Sequence, residues 1–131
     1  MIDIDWFKNF NDFHGHPKGD ELLKQIVKVF AGATRPSDKI YRYGGEEFAI
    51  LLSDISTEGA MPIATRIRKA VEQEQFEGEK ESQPRGKVTV SIGVAGLPSD
   101  ANNKEGLIEA ADSALYKAKQ SGRNKVHAFD G

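Results

Sequence analysis

Hydrophobic and polar positions alternate with two different periods along this chain, and the changes of period mark its elements. Ile2 and Ile4 alternate with Asp3 and Asp5, which is the pattern of a half-buried strand. Asp3 to Phe10 then leaves that strand and enters a short helical segment. Asn11 to Gly19, rich in Asn, Gly, His and Pro, reads as a loop. Leu22, Leu23, Ile26, Val27 and Phe30 recur at helical spacing, and Asp20 stands where it can cap that helix. Thr34 to Asp38 forms a turn into two strand-like runs, Lys39 to Tyr43 and Glu47 to Leu52, the second ending as an unbroken apolar stretch. Gly44-Gly45 between them predicts a hairpin with a two-residue primed turn, because positive φ is free of strain only for glycine. Pro62 to Glu74 is a second amphipathic helix with Ile63, Ile67, Ala70 and Val71 inward. Gln75 to Gly86 is polar, holds two glycines and a proline, and is expected to be a mobile loop. Val88 to Val94 alternates cleanly as a strand. After a loop from Pro98 to Lys104 comes a third helix, Leu107 to Gln120, with Gly122 in the place of a C-terminal glycine cap. Val126 to Phe129 is the last strand.

The order β-α-α-β-β-α-β-α-β predicts an antiparallel-rich central sheet covered by helices, an α+β fold related to the ferredoxin-like plan. The 131 residues form one domain, 1–131, with no repeat or linker and enough length for a full core. Charge changes the picture only by exclusion. A net charge of -2 supplies no basic field, so nucleic acid and membrane surfaces are not expected partners. With no cysteine there is no disulfide, thiolate chemistry or Cys-ligated zinc, which fits a reducing, cytoplasmic setting. No apolar run reaches the length of a membrane span, and no signal peptide is visible. The chain opens directly on strand-like residues, so it reads as a domain truncated at its N-terminus.

The hairpin carries the chemistry. Glu46 and Glu47 follow Gly44 and Gly45 directly, placing carboxylates at a tip where no side chain blocks a ligand from the backbone. That suits a magnesium ion carrying a triphosphate, since magnesium takes few carboxylates and fills its shell with water and phosphate oxygens. Taken by itself, the hexapeptide fits a solvated acidic turn equally well. Asp3 at a strand end also fits a cap, Asp20 an N-cap, and Lys119 with Arg123 a basic helix end complementing the macrodipole.

Several stretches together decide between these readings. Gly44-Gly45-Glu46-Glu47-Phe48 resembles the signature of the GGDEF family, the bacterial diguanylate cyclases, in its GGEEF form. Asp3-Ile4-Asp5-Trp6-Phe7-Lys8 is similar to the family's D-x-D-x-F-K. Asn11-Asp12, Gly15-His16-Pro17-Lys18-Gly19-Asp20, Ser91-Ile92-Gly93-Val94, the run Ala111 to Lys119 and Gly122-Arg123-Asn124 match further family motifs. The resemblance extends from Met1 to about Asn124. The family's upstream D-x-L-T-G-L-x-N-R segment is not in this sequence.

The resemblance implies a nucleotidyl cyclase palm fold and the condensation of two GTP into cyclic di-GMP and two pyrophosphates. It assigns Asp3, the Ile4 carbonyl and Glu46 to Mg2+, with Mn2+ as the alternative. Gly44 and Gly45 belong to the catalytic tip with Glu46 and Glu47. For Glu47 a second metal and deprotonation of the 3′-hydroxyl both remain open. Asn11 and Asp20 are assigned to guanine, and Lys119 and Arg123 to the triphosphate, where Lys8 and the backbone around Phe7 are expected to add donors. Arg35 and Asp38, five residues ahead of the glycine pair, match the R-x-x-D site that binds cyclic di-GMP as inhibitor, with Arg66 as a secondary contact. The resemblance further implies a homodimer, because each domain holds one GTP, and an upstream sensor or regulatory domain in a larger protein. A non-enzymatic nucleotide receptor and a cyclase with another product are the competing readings. His14, His16 and His127 are expected to be structural, and Trp6 to pack rather than bind.

Overall fold

The computed structural model describes all 131 residues. Its short first strand, β1 (Ile2–Ile4), is the centre of a five-stranded sheet. β1 pairs antiparallel with β3 (Glu47–Leu51) on one side and with β4 (Val90–Val94) on the other. β2 (Lys39–Arg42) pairs antiparallel with β3 at one edge, and β5 (Val126–Ala128) lies parallel to β4 at the other. The alternation read in the sequence sets the two faces. Ile2, Ile4, Phe48, Val90 and Ile92 are buried in one core with Phe10, Leu22, Ile26, Phe30, Ile63, Ile67 and Val71. Those last seven come from α1 (Phe7–His14), α2 (His16–Gly32) and α3 (Thr57–Gln73). Phe30 meets Phe48 edge to face, ring centroids 5.4 Å apart. Burying each large apolar side chain contributes roughly 1.5–3 kcal/mol.

The opposite face takes α5 (Lys104–Gln120). Its buried positions are small, Ala110, Ala111, Ala114 and Ala118 beside Leu115, so its backbone can approach the sheet closely. A Cβ on Gly93 would overlap Ala111 O and Leu115 N of this helix. Asp3 and Ser91 alternate with the core residues and therefore lie on this α5 side.

Five local expectations need correction. Asn11 to Gly19 is helical except at Gly15, whose φ of 88° breaks the chain into α1 and α2. Pro17 occupies the first turn of α2, where a missing N–H costs nothing. Asp20 accordingly lies inside α2 and caps nothing. Helix α3 begins at Thr57, five residues ahead of Pro62, because Ser56 Oγ accepts from Gly59 N at 3.0 Å. Likewise α5 starts at Lys104, capped by Asn103. The expected mobile loop, Gln75 to Gly86, contains α4 (Glu79–Ser82) and a 3-10 turn at Pro84–Gly86. It is pinned by Phe76 in the core and by the buried Glu79 carboxylate, which accepts from Phe76 N, Val88 N and the Lys87 ammonium. Gly122 follows α5 with φ 119°, as its cap position requires. No helix is long and apolar enough to cross a membrane.

Candidate active site

Three segments meet at the end of β1: the β2–β3 hairpin, the C-terminal turn of α5, and the chain leaving β1 toward α1. Asp3 stands opposite Glu47 in the β1–β3 register and opposite Ser91 in β4. Its side chain is only 6% exposed, and Lys119 of α5 forms an ion pair with it. Burial pushes the Asp3 carboxyl up to about 6; the Lys119 ammonium pulls against that, and the nearby Glu46 and Glu47 add to it.

The sign of the stability effect follows. The folded value lies above the ordinary 3.8, so the folded chain holds this proton more tightly than the unfolded chain. Its stabilising contribution is complete below that ordinary value and is lost as pH rises through about 6. Asp3→Asn is therefore expected to raise the melting temperature by ~2–4 °C at neutral pH in chelator, with little change in acid. A lower melting temperature at neutral pH would show that the Lys119 pair outweighs the burial cost.

The hairpin tip is fastened to β1, since Ile4 N donates to Glu46 O at 3.2 Å. Tyr43 N and Gly44 N both donate to Glu47 O, at 2.9 and 3.2 Å, closing a loop of residues 44–46. This corrects the expected two-residue primed turn, because neither Gly44 nor Gly45 has positive φ. A Cβ on either would meet nothing within 4 Å. The fold itself thus has no steric or conformational need for glycine at either position. Glu46 and Glu47 are half-buried at the base of this open tip.

The sequence reading missed Asp5 as an organising residue. Its buried carboxylate accepts from Ser91 Oγ at 2.6 Å, Thr89 Oγ1 at 2.8 Å and Asn124 N at 3.0 Å. Gln83 Nε2 donates to Asp5 O and Trp6 O, both at 3.2 Å. The Asn124 amide is held from the other side by α3: Nδ2 donates to Glu72 Oε2 at 2.6 Å, and Arg68 donates to Oδ1 at 2.9 Å. Gly122, Arg123 and Asn124 all have positive φ, so this turn keeps its shape through those bonds. It delivers Arg123 to the end of β1, its NH1 4.0 Å from Asp5 Oδ1. The second aspartate of the D-x-D stretch, with Ser91 and Asn124 in their own motifs, was the available signal for this network.

The candidate guanine pair lies on adjacent helices. Asn11 of α1 faces α2 at Gly19, where a Cβ would overlap Asn11 Oδ1. Asp20 is the next residue along α2 and is exposed. Asn11 Oδ1 is buried against α2 with no hydrogen-bond partner. Phe7 is buried at the first turn of α1, whose leading N–H groups have no partner within the helix. Lys8 is not gathered with the other cations; it runs along α1 to Asp12 at 2.6 Å.

Arg35 and Asp38 are brought together, but closed on each other. Arg35 Nε and NH2 reach the Asp38 carboxylate, the latter at 2.7 Å, and Arg35 N donates to it at 2.8 Å. Asp38's side chain is fully inaccessible, while Arg35's is 35% exposed and also donates to Ser53 O. Arg35 holds the Asp38 carboxyl below the usual carboxylate range. Arg66 donates to Ala33 O at 2.9 Å and adds to that effect on Asp38. No cluster of three or more His, Cys, Asp or Glu side chains is poised for a metal. His14 contacts Gly78 O at 2.8 Å and His127 contacts Ser121 Oγ at 3.0 Å.

Comparison with known proteins gives the family. The family model described as diguanylate cyclase, GGDEF domain, matches residues 1–125. Diguanylate cyclase A of Treponema denticola is 45% identical over 128 residues, which cover 96% of this chain and 33% of that protein. The chain therefore spans about a third of the length of that curated relative. Among solved structures, the active GGEEF domain of a diguanylate cyclase from Vibrio cholerae is similar with a TM-score of 0.88 and 34% identity, over 99% of this chain and 80% of that one. The GGDEF domain of DgcB from Caulobacter crescentus, in complex with c-di-GMP, is similar with a TM-score of 0.85 and 34% identity, over 99% and 75% of the two chains. On the family match, these likenesses and the signature Gly44 to Phe48, the chain belongs to the GGDEF domain family.

Proposed function

We propose that this domain is a diguanylate cyclase: two copies, each holding one GTP, join them into cyclic di-GMP. The observation that carries the reading is the pair of buried and half-buried carboxylates, Asp3 and Glu46, tied together by the Ile4–Glu46 backbone bond and faced by Lys119. The donor set fits magnesium. It offers two carboxylates and the Ile4 carbonyl, all oxygen donors, and the Lys119 ammonium already stands as a cation against Asp3. A bound magnesium would neutralise triphosphate charge and polarise the phosphate under attack.

The chain's own residues position the rest. Gly44 and Gly45, which the fold does not require, leave the tip backbone open to the phosphates. Lys119 and Arg123 supply positive charge to them, Arg123 through forked donors. The exposed Asp20 carboxylate takes the N1–H and N2–H of guanine, which adenine lacks, and the Asn11 amide beside it contacts the same base. In each half-reaction the 3′-hydroxyl of one GTP attacks the α-phosphate of the other, a P–O bond forms, and pyrophosphate departs. After the second half-reaction the ring is closed. GTP is expected to bind at least about a hundred-fold more tightly than ATP in a titration with magnesium, because adenine leaves that carboxylate unpaired. Equal affinities would refute the guanine assignment.

Cyclic di-GMP also acts, in this proposal, as a feedback inhibitor at Arg35. The exposed edge of Arg35 is free to grip guanine or phosphate, whereas Asp38 must first be released from its ion pair. Arg35→Ala is expected to weaken cyclic di-GMP binding at least about ten-fold by calorimetry, and to lower the melting temperature because Asp38 stays buried without its partner. Unchanged affinity would remove Arg35 from the inhibitory site.

A further inference from the structure

Trp6 is the single tryptophan of the chain and is 43% exposed, yet its backbone is in the left-handed region at φ 57°, ψ 31°. That conformation is strained for a bulky residue, and such strain persists only where surrounding contacts enforce it. Here the enforcing contact is Gln83, whose amide clamps Asp5 O and Trp6 O. The result is that the indole lies against Arg123, whose guanidinium carbon is 4.4 Å from the ring centroid. Arg123 is itself in the left-handed region, at φ 63°, in the turn held by Asp5, Glu72 and Arg68. Two strained residues from opposite ends of the chain are thus locked so that one side chain stacks on the other.

The contact is made through the guanidinium carbon and engages none of the N–H groups of Arg123 in a hydrogen bond. Arg123 makes no side-chain hydrogen bond within the chain, and its one ionic neighbour, Asp5, is 4.0 Å away. All of its in-plane N–H groups therefore remain available. A free arginine side chain loses considerable rotamer entropy when it grips a phosphate, and a ring that restrains it beforehand reduces that loss.

We propose that Trp6 is a positioning residue that pre-orients Arg123 for the nucleotide triphosphate, and does so without touching the nucleotide. This rests on the reading of Arg123 as a triphosphate ligand. The probe is a GTP analogue with a methylene bridge at the α,β position, titrated with magnesium. Trp6→Ala is expected to weaken its binding roughly two- to five-fold, the range of an exposed cation–π contact. Trp6→Phe is expected to recover part of that loss. In turnover the effect falls on KM for GTP, with kcat at saturation unchanged. The decisive arm is the Arg123→Ala background, where Trp6→Ala is expected to cost nothing further. In the parent chain, the fluorescence of Trp6 is expected to change on addition of the analogue, and this readout does not depend on any variant folding.

Failure of the proposal and failure of the reading beneath it give different patterns. If Arg123→Ala weakens binding and Trp6→Ala does not, Trp6 is not a positioning residue and Arg123 keeps its role. If Trp6→Ala weakens binding equally in both backgrounds, the indole contacts the nucleotide directly and the proposal is wrong. If Arg123→Ala leaves affinity unchanged, Arg123 is no triphosphate ligand and both readings fall. Unchanged Trp6 emission on saturation with the analogue would also overturn the proposal.

Discussion

Glu46→Ala is expected to reduce formation of cyclic di-GMP by at least about a hundred-fold while the fold survives. Removing even an outer partner of a metal ligand typically costs 10–100-fold, so loss of a direct ligand sets that as a lower bound. The fold tolerates the change because the contact between Glu46 and the rest of the protein is made by its backbone. Ile4 N donates to Glu46 O, and the tip is closed by bonds among Tyr43, Gly44 and Glu47. The Glu46 side chain is half-exposed and forms no ion pair or hydrogen bond. Circular dichroism and melting temperature should match the parent, whereas chromatographic quantification of product should not. A variant that makes cyclic di-GMP at the parent rate would remove Glu46 from the metal site.

Gly93→Ala is expected to have the largest effect on stability, at least about 3 kcal/mol, or no soluble folded protein at all. The reason is steric and has no easy relief. The added methyl would overlap Ala111 O and Leu115 N, which are backbone atoms of α5, so no rotamer change can clear it. The helix would have to lift from β4, and with it the buried Ala110, Ala114 and Ala118. The same helix carries Lys119 to Asp3, so any protein that does fold should also bind nucleotide more weakly. Chemical denaturation of Gly93→Ala beside Gly32→Ala provides the control, since a Cβ at Gly32 meets nothing within 4 Å. Equal midpoints for the two would show that α5 packs less closely than described.

The sheet was legible in the sequence because β1 and β4 alternate cleanly and the unbroken apolar run of β3 follows a glycine turn. Ile2 and Ile4 against Asp3 and Asp5 marked both faces at once. The helices were legible in their apolar spacing but not at their ends, where Ser56 and Asn103 cap one turn or more before the first apolar residue. Asn11 to Gly19 was misread because its loop-forming residues each have a helical use. Pro17 sits at a helix start, and Gly19 clears space for Asn11. Gln75 to Gly86 was misread for another reason. Its polarity suggested solvent, yet Glu79 and Gln83 turn inward to satisfy backbone groups of distant segments. The site's carboxylates and cations were visible as motifs. The Asp5–Asn124–Glu72 network was not, because it joins residues far apart in sequence. Nor could spacing show that Arg35 and Asp38 close on each other.

In the proposed reaction this domain joins two GTP across two copies of itself. The direct measurement is product identification after incubation with GTP and magnesium over a wide range of chain concentrations. Cyclic di-GMP and pyrophosphate in a one-to-two ratio are expected, with a specific activity that rises with concentration, since one copy holds one GTP. Fusion to a dimerising coiled coil should remove that dependence by supplying an effective concentration on the order of millimolar. Failure to form cyclic di-GMP even in the fused dimer, or a specific activity that stays constant down to dilute monomer, would contradict the proposed reaction.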